Sequence, residues 1–354
     1  MYQSFLSLMY KPAKEPLFPP TKFMGSKQTL LPFIFKSLNR VKYDSVLDAF
    51  SGSGCVSYEF KRRGKSVVSN DFLHCSFVTA KALIENNSTK IDDQALRKLM
   101  TVRNDAITPS KVADTYSDLF FTKSECQFLD SLWANIQDLS SGYQRNLALA
   151  AACRACQKKR PRGIFTVIGK KGWDARKDLK LSLQEQFANA VRIFNNSVFD
   201  NGKAHRAVWS DIMNLPDTDF DLVYLDPPYW SPLSDNDYVR RYHFIEGYSR
   251  YWEGLDIDMN TKARKFKSYL SPFSQLGAAR NALSQLFERY SDSTIIVSYS
   301  SNGLPSKSEL LSMLESVKRK VTVFETDHRY SFANQAHAKQ KIKNKVREYV
   351  FVAA

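Results

Sequence analysis

Cysteine is sparse in this chain, and the cysteines that are present lack the pattern of a disulfide-rich or zinc-binding protein. The 354 residues include an odd set of five: Cys55, Cys75, Cys126, Cys153 and Cys156. Such a set predicts a reducing, cytoplasmic environment. Cys153 and Cys156 form one C-x-x-C pair, but a structural zinc site needs four ligands and no second pair follows. Packed helical cysteines are the better interpretation.

Other common signatures are missing as well. The five histidines (74, 205, 243, 328 and 337) are scattered without ligand spacing, so no metal is indicated. No apolar run approaches the roughly 18 to 20 residues that span a bilayer, which predicts no membrane association. The first ten residues are apolar but lack the leading basic region and cleavage site of a signal peptide. We find no internal repeat, no low-complexity segment and no linker rich in Gly or Ser.

Acidic residues are outnumbered by basic ones. Lysine and arginine total 51 against 36 aspartates and glutamates, which gives a formal net charge of +15. Such a balance favours a polyanionic partner, and nucleic acid is the first candidate. The alternative is a basic protein whose charge is simply solvated.

The secondary-structure pattern predicts a doubly wound α/β sheet. Short β-prone runs recur at residues 45–50, 66–71, 205–211, 220–229, 294–300, 320–325 and 348–352. Amphipathic helical stretches lie between several of them, at residues 29–38, 55–63, 278–290 and 307–318. This alternation predicts a mostly parallel sheet of seven strands. Residues 76–204 break the pattern, because their periodicity is helical and polar, and we interpret them as an insertion between segments 1–75 and 205–354.

Four consecutive residues, Asp226, Pro227, Pro228 and Tyr229, carry the strongest chemical signal. They follow an apolar run typical of a buried parallel strand, and ligands of open α/β sheets bind at the carboxyl ends of strands. The Asp226 carboxylate and the Pro227 carbonyl can each accept an N–H of an exocyclic amine, so that the nitrogen lone pair points at an electrophile. Tyr229 offers a flat face for a base rotated out of its stack. The alternative is a proline-rich loop with a capping aspartate.

A second motif predicts a cofactor site. Asp48, Phe50, Gly52 and Gly54 lie on a turn between the first strand and a helix. Glycines let the backbone turn sharply and approach a ligand closely, and helix-end N–H groups favour an anionic group. The loop is neither a G-x-G-x-x-G fingerprint nor a Walker A loop. A plain glycine turn remains the alternative.

Two aspartates at later strand ends are candidates for the same cleft. Asp71 ends the second strand, where an acidic side chain can accept hydrogen bonds from both ribose hydroxyls of a nucleoside. The alternative is that Asn70 and Asp71 cap the next helix. Asp211 ends the third predicted strand. Upstream, Phe23 could stack on a base or the cofactor, and Lys27 could pair with a carboxylate.

Taken together, these motifs resemble those of the Dam-like (D12 class) DNA N6-adenine methyltransferases in the α arrangement. Residues 22–27 match the family's Lys-Trp-x-Gly-Gly-Lys segment, residues 48–54 its Asp/Glu-Pro-Phe-x-Gly-x-Gly loop, and residues 226–229 its Asp-Pro-Pro-Tyr motif. The resemblance covers nearly the whole chain. Residues 151–167, 242–252 and 328–350 look especially similar to the FokI-type adenine methylase branch. The departures are Phe23 for tryptophan, Ser26 for glycine and Ala49 for proline, which affect cofactor affinity rather than a catalytic group.

The resemblance implies a Rossmann-like methyltransferase sheet and S-adenosylmethionine as methyl donor. It also implies that Phe23, Lys27, Asp48 and Asp71 contact the donor, that residues 76–204 form the target-recognition region, and that double-stranded DNA is the substrate. A restriction-modification or phage modification system with a cognate endonuclease would fit, with the enzyme acting as a monomer or weak dimer. Neither a metal nor a covalent intermediate is expected, because the methyl group is already activated.

Basic residues predict where DNA would lie. A cluster of cations at Lys158, Lys159, Arg160 and Arg162, followed by Lys170 and Lys171, could read guanines and hold phosphates. A solvated loop is the alternative. Beyond the catalytic motif, Arg240, Arg241 and Tyr242 interleave cations with an aromatic ring and could hold the distorted strand, or they could be packing residues.

Three other activities stay open on sequence grounds. N4-cytosine methylation uses the same amine chemistry, although a leading serine in place of Asp226 usually accompanies it. RNA adenine methylation is disfavoured by the resemblance, although the net charge alone does not exclude it. A non-catalytic DNA-binding protein that retained the fold would be expected to have lost Asp226 or the glycines.

Overall fold

A seven-stranded mixed sheet forms the centre of the molecule. The computed structural model describes residues 16–160, 163–166, 177–230, 237–329 and 345–354. The strands are β1 (Ser45–Asp48), β2 (Ser66–Asp71), β3 (Arg206–Trp209), β4 (Leu222–Leu225), β5 (Thr294–Ser300), β6 (Val321–Arg329) and β7 (Lys345–Ala353). Their order is β3-β2-β1-β4-β5-β7-β6; the first five are parallel, and β7 runs antiparallel to both neighbours. The predicted mostly parallel, doubly wound α/β sheet is confirmed.

Helices cover both faces of the sheet. The described residues form twelve α-helices: α1 (Leu31–Ser37), α2 (Cys55–Arg62), α3 (His74–Ala80), α4 (Asp93–Leu99), α5 (Lys111–Tyr116), α6 (Lys123–Gln137), α7 (Gly142–Lys158), α8 (Lys177–Lys180), α9 (Leu183–Ser197), α10 (Tyr238–Ser249), α11 (Leu276–Arg289) and α12 (Lys307–Glu315). Among these helices, none is both long and apolar enough to cross a membrane. The same residues contain no cluster of three His, Cys, Asp or Glu side chains placed to hold a metal.

The alternation of strand side chains creates two apolar cores. Val46 and Tyr224 point into the core shared with α2, α3 and α7, whereas Leu47 and Val223 point into the core shared with α11 and α12. All four residues of β4 are buried, as expected of a central parallel strand covered on both faces. The strand that precedes the Asp-Pro-Pro-Tyr motif is therefore held rigidly from both sides.

The connection from β2 to β3 contains α3 to α9. Long helices α7 and α9 pack against one another, and α7 also packs on α3 and α10. Leu129 of α6 and Phe187 of α9 belong to the same apolar core as sheet residues Val46 and Val67. The helical insertion thus shares its core with the sheet, and its assignment as a recognition unit with boundaries at 76 and 204 stays a prediction.

All five cysteines are buried and unbridged. Cys153 and Cys156 lie on α7 within the apolar core, as the packing interpretation of the C-x-x-C pair predicts. Burial raises the pKa of the Cys153 and Cys156 thiols. Neither thiol is therefore suited to redox chemistry at neutral pH.

Candidate functional site

The carboxyl ends of β1, β2 and β4 meet at one cavity. Asp48, the last residue of β1, lies beside Tyr224 of β4 and Ser69 of β2 in the sheet register. The cavity brings together most of the residues that the sequence assigned to cofactor or catalysis: Phe23, Lys27, Asp48, Phe50, Gly52, Asp71, Asp226, Pro227, Pro228 and Tyr229. Parallel strands direct their carboxyl ends to the same edge of the sheet, which is why motifs far apart in sequence meet here.

The glycine turn takes the conformation that its sequence predicts. Gly52 and Gly54 have φ of 51° and 82°, in the left-handed region that favours glycine. The backbone of Gly52 lies directly under the Phe23 ring, since a Cβ built on Gly52 would be 3.1 Å from Phe23 Cε1. The turn therefore brings bare backbone to the cavity and an aromatic ring against it. Gly54 caps α2 and is not among the residues that line the cavity.

The Asp71 carboxylate is fixed by backbone donors. The amide of Gly52 donates to Oδ2 at 2.7 Å, and the amide of Leu73 donates to Oδ1 at 2.8 Å. Burial raises the pKa of Asp71 to about 7 despite these bonds. Asp71 thus ties the glycine turn to the end of β2, in addition to facing the cavity.

The two carboxylate oxygens of Asp48 differ in their hydrogen bonding. The Ser57 hydroxyl, which also contacts Ser69, lies 2.6 Å from Asp48 Oδ2, while Oδ1 is buried without a hydrogen-bond partner among the described residues. Burial is the main reason that its pKa is raised to about 7. A buried acceptor without a donor is costly, so Oδ1 suits a ligand that brings an N–H or O–H group.

Lys27 contacts the first residue of the Asp-Pro-Pro-Tyr motif. Its side chain is only 3% exposed, and Nζ lies 2.8 Å from Asp226 Oδ1. Burial raises the pKa of Asp226, while the Lys27 ammonium opposes that rise. The sequence predicted that Lys27 could pair with a carboxylate, and the structure shows that this carboxylate belongs to Asp226; the contact of Lys27 with a cofactor stays a prediction.

A stack of aromatic rings supports the Phe23 loop. The Tyr242 ring lies 4.8 Å from the Phe23 ring at an interplanar angle of 15°, and its hydroxyl accepts a hydrogen bond from the Met24 amide at 2.6 Å. The Tyr238 ring lies 6.2 Å from Phe23 and 6.5 Å from Tyr242, nearly parallel to both, and lines the cavity. Tyr242 was assigned to DNA contact; that assignment is wrong, because the side chain is fully buried under the loop.

Tyr229 is held from behind by a glycine. A Cβ on Gly303 would lie 2.9 Å from the Tyr229 Cβ and 2.8 Å from the Tyr299 ring. The two tyrosine rings are 5.4 Å apart and tilted by 56°. Gly303 thereby allows Tyr229 to lie at the cavity wall, a role that no local sequence signal indicates.

Asp211 lies outside the cavity lining. Its carboxylate accepts the Met213 amide at 3.0 Å and caps a short 3-10 helix, Ile212–Asn214. The prediction that it shares the cofactor cleft is not supported by this placement. An aspartate at a strand end can equally serve as a helix cap, and sequence alone does not separate the two roles.

The predicted basic DNA-binding cluster is largely engaged within the protein. Lys158 pairs with Asp178 at 2.7 Å, and Lys159 pairs with Glu125 at 3.1 Å. Arg160 is 1% exposed and donates to the Phe120 carbonyl at 3.0 Å, and burial lowers its pKa to about 10. The assignment of Arg160 to base reading is therefore wrong. Arg162, Lys170 and Lys171 lie outside the described residues.

Helix α10 carries a further structural link that the sequence did not reveal. The Glu246 carboxylate is buried and accepts the amides of His74 and Cys75 at 2.9 and 3.0 Å and the Tyr269 hydroxyl at 2.5 Å. A lone glutamate on a helix normally indicates a solvated face, so no signal pointed to it. On the same helix, Arg240 is exposed, whereas Arg241 contacts Met24 Sδ at 3.2 Å.

The charged side chains that line the cavity favour a cationic ligand. They comprise three carboxylates, on Asp48, Asp71 and Asp226, and one ammonium, on Lys27. Because Lys27 is paired with Asp226, the remaining carboxylates face the cavity without a cation of their own among its lining residues. A positively charged molecule with hydroxyl and amino donors would satisfy them.

Comparisons with known proteins agree with this geometry. Residues 23–298 match the family model described as D12 class N6 adenine-specific DNA methyltransferase. The chain is 31% identical to Type II methyltransferase M2.HphI of Haemophilus parahaemolyticus, covering 92% of this chain and 96% of that protein. It is 28% identical to Type II methyltransferase M.FokI of Planomicrobium okeanokoites and 27% identical to Modification methylase StsI of Streptococcus sanguinis. These matches span 52% and 46% of the two longer proteins.

Proposed function

Because the chain belongs to the D12 class of N6 adenine-specific DNA methyltransferases, we propose that its cavity binds S-adenosylmethionine beside a flipped adenine of a specific DNA sequence. Asp226 carries this proposal, because it directly follows β4 and lines the same cavity as Asp48 and Asp71. The alternative of N4-cytosine methylation is not favoured by the family, which is specific for adenine.

The residues present fit the methyl donor. We assign the unsatisfied Oδ1 of Asp48 to the amino group of its methionine part, and Asp71 to its ribose hydroxyls. The Phe23 ring and the bare backbone of Gly52 give a close, flat surface at the same wall. The bound donor would supply a methyl group activated by a sulfonium, and the excess of carboxylates over cations would favour that positive charge.

The target amine would be held by the catalytic motif. The N6 lone pair of adenine is delocalised into the ring, which makes the nitrogen a poor nucleophile. Asp226 and the Pro227 carbonyl can each accept one N–H of that nitrogen and thereby localise the lone pair. The two prolines fix φ in consecutive residues, so the acceptors keep their positions. Positioning both reactants is the main catalytic contribution of this site.

Two further side chains support the binding of the target adenine. The Lys27 ammonium stabilises the ionised form of Asp226, since a buried carboxylate would otherwise tend to take up a proton. Tyr229, braced by Gly303 and Tyr299, offers a ring on which the flipped adenine can lie. Among the charged residues assigned to DNA, Arg240 is exposed beside the catalytic motif, and we assign it to phosphate contact.

The biological setting follows from the relatives. Several are Type II or modification methylases, so we propose that this enzyme protects DNA in a restriction-modification system with a cognate endonuclease. We assign target recognition to the helical segment of residues 76–204 and propose double-stranded DNA as the substrate of a monomer or weak dimer.

The test is the variant Asp226→Ala. We expect methyl transfer to duplex DNA to be abolished while binding of S-adenosylmethionine and salt-sensitive binding of DNA persist. Asp211→Ala serves as the control, because Asp211 lies outside the cavity lining, and it should retain transfer. Undiminished transfer by Asp226→Ala would overturn the mechanism. Methylation-sensitive long-read sequencing of DNA from an expressing host should report N6-methyladenine in one sequence context; modified cytosine would overturn the base assignment.

A further inference from the structure

A second basic segment lies beyond α10, at residues 261–270. It contains four cations, Lys262, Arg264, Lys265 and Lys267, and no acidic residue. Two adjacent cations, Arg264 and Lys265, break the alternation that would indicate a strand, and the segment is too short to show a helical period. The structure shows which of these side chains are held and which are presented to solvent.

The apolar residues anchor the segment. Ala263 and Phe266 are 6% and 5% exposed, and Phe266 forms an isolated antiparallel bridge with Ile257. The Tyr116 hydroxyl donates to the Arg264 carbonyl at 2.9 Å. Arg264 has a φ of 51°, a left-handed conformation that a non-glycine residue adopts only where neighbouring contacts maintain it. The segment is therefore a fixed platform.

Three of its cations form an outward surface that we call the basic ridge: Lys262, Arg264 and Lys267. Lys262 and Lys267 are exposed and Arg264 is half-buried. Within the described parts of the chain, no ion pair joins a side chain of the ridge to a carboxylate. Lys265 is half-buried and is left out of the ridge; its charge adds to the lowering of the His243 pKa that burial causes.

The basic ridge adjoins the catalytic cavity. Ser268 donates to Asp237 Oδ1 at 2.7 Å, and Asp237 caps the start of α10, where Tyr238 lines the cavity. The Tyr269 ring lies 5.9 Å from the ring of Phe72, another cavity residue. Lys267 is two residues from Tyr269, so their Cα atoms are at most about 7.6 Å apart. Ser268 and Tyr269, which directly follow Lys267, therefore connect the segment that carries the ridge to the cavity wall.

We propose that the basic ridge binds backbone phosphates of the DNA strand next to the flipped adenine. This inference rests on the proposed function, and it supplies the DNA contact that Lys158, Lys159 and Arg160 cannot provide in their paired or buried positions. Exposed cations without carboxylate partners gain most from phosphate, because they release counterions from DNA without breaking an ion pair. A fixed platform also holds the backbone while the base leaves the stack.

The experiment compares two double variants that remove the same amount of charge. Lys262→Gln/Lys267→Gln removes two cations of the ridge, and Arg40→Gln/Lys42→Gln removes two exposed cations that precede β1, at the opposite edge of the sheet. For the ridge variant, the slope of log binding constant against log salt should fall by about 1.8, because each phosphate left without its lysine accounts for about 0.9. The duplex Kd should rise about tenfold at moderate salt, while the Kd of S-adenosylmethionine stays unchanged. The control should match the wild type.

Several outcomes would overturn the proposal. A salt slope of the ridge variant equal to that of the control would show that the ridge does not bind phosphate. Intact DNA binding combined with failure to bind a cognate endonuclease would assign the ridge to a protein partner instead. Thermal unfolding checks the fold, and the single variants Lys262→Gln and Lys267→Gln should each give about half of the slope change. A wild-type protein that binds DNA but transfers no methyl group would contradict the proposed function and leave the ridge test intact.

Discussion

The ammonium nitrogen of Lys27 lies 2.8 Å from Oδ1 of Asp226, and this pair joins the first motif of the chain to the Asp-Pro-Pro-Tyr motif. The two residues are 199 positions apart in the sequence (226 − 27). Lys27 is 3% exposed, so the pair is shielded from water and the lysine acts strongly on the protonation of the carboxylate. The lysine is therefore positioned to control whether Asp226 can accept an N–H.

Replacing Lys27 should shift the pH dependence of the reaction. Burial raises the pKa of Asp226 and Lys27 lowers it, so Lys27→Gln leaves only the raising influence of burial. The Asp226 carboxylate must be ionised to accept a hydrogen bond from the target amine. The acidic limb of log kcat/KM should therefore move to higher pH by about one unit or more. The measurement is initial rates of methyl transfer across pH.

Lys27→Arg provides the matched control, because it keeps the positive charge beside Asp226. Its acidic limb should stay within a few tenths of a unit of the wild type, even if altered geometry lowers the rate. An unshifted limb in Lys27→Gln, together with weaker binding of S-adenosylmethionine, would instead assign the lysine to the cofactor.

Cofactor affinity should rise with pH through neutrality. Burial raises the pKa of Asp48 and Asp71 to about 7, so both carboxyls are partly protonated there, and a cationic ligand binds their ionised forms. The Kd of S-adenosylmethionine should be at least about tenfold weaker at pH 6 than at pH 8, with protons released on binding near pH 7. Calorimetry in two buffers of different ionisation enthalpy measures both quantities. Asp71→Asn should bind more weakly and show a shallower pH dependence; an unchanged dependence would exclude Asp71 from the effect.

The sequence was sufficient to predict the strands and the aspartates at their carboxyl ends, because local residue patterns determine both. Asp48, Asp71 and Asp226 were assigned to the ends of strands, and parallel pairing then brings all three to one edge of the sheet. The confirmed seven strands follow from the same local patterns, although β6 and β7 extend further than predicted.

What the sequence could not provide is the partner of each charge. Lys158 and Lys159 resemble a DNA-binding cluster until the fold brings Asp178 and Glu125 to them, and Lys27 meets Asp226 only in the folded chain. Tyr242 is similar, since its buried stack with Phe23 depends on the packing of α10. Charge and aromaticity are local properties, whereas burial and pairing belong to the tertiary structure.

The glycine turn gives a prediction with an internal control. Gly52 and Gly64 both have positive φ, of 51° and 76°, so an alanine at either position should cost roughly 1–2 kcal/mol of stability. A Cβ at Gly52 would also press on Phe23 at 3.1 Å in the cavity, whereas a Cβ at Gly64 meets nothing within 4 Å. Gly52→Ala should therefore weaken S-adenosylmethionine binding about tenfold or more, and Gly64→Ala should leave it unchanged. Equal affinities in the two variants, measured by calorimetry, would argue against a cofactor beside Gly52.

Variants at Arg160 and Arg240 should distinguish a residue that stabilises the fold from one that binds DNA. Arg160 is 1% exposed and donates to the Phe120 carbonyl, so Arg160→Met leaves a buried acceptor without this donor and should cost about 1–3 kcal/mol of stability. Its salt slope for DNA binding should equal that of the wild type. Arg240 is exposed, so Arg240→Gln should leave thermal unfolding unchanged and lower the slope by about 0.9. Because each variant removes one positive charge, net charge alone predicts the same result for both. A reduced slope in Arg160→Met at full stability would return Arg160 to the DNA-binding surface.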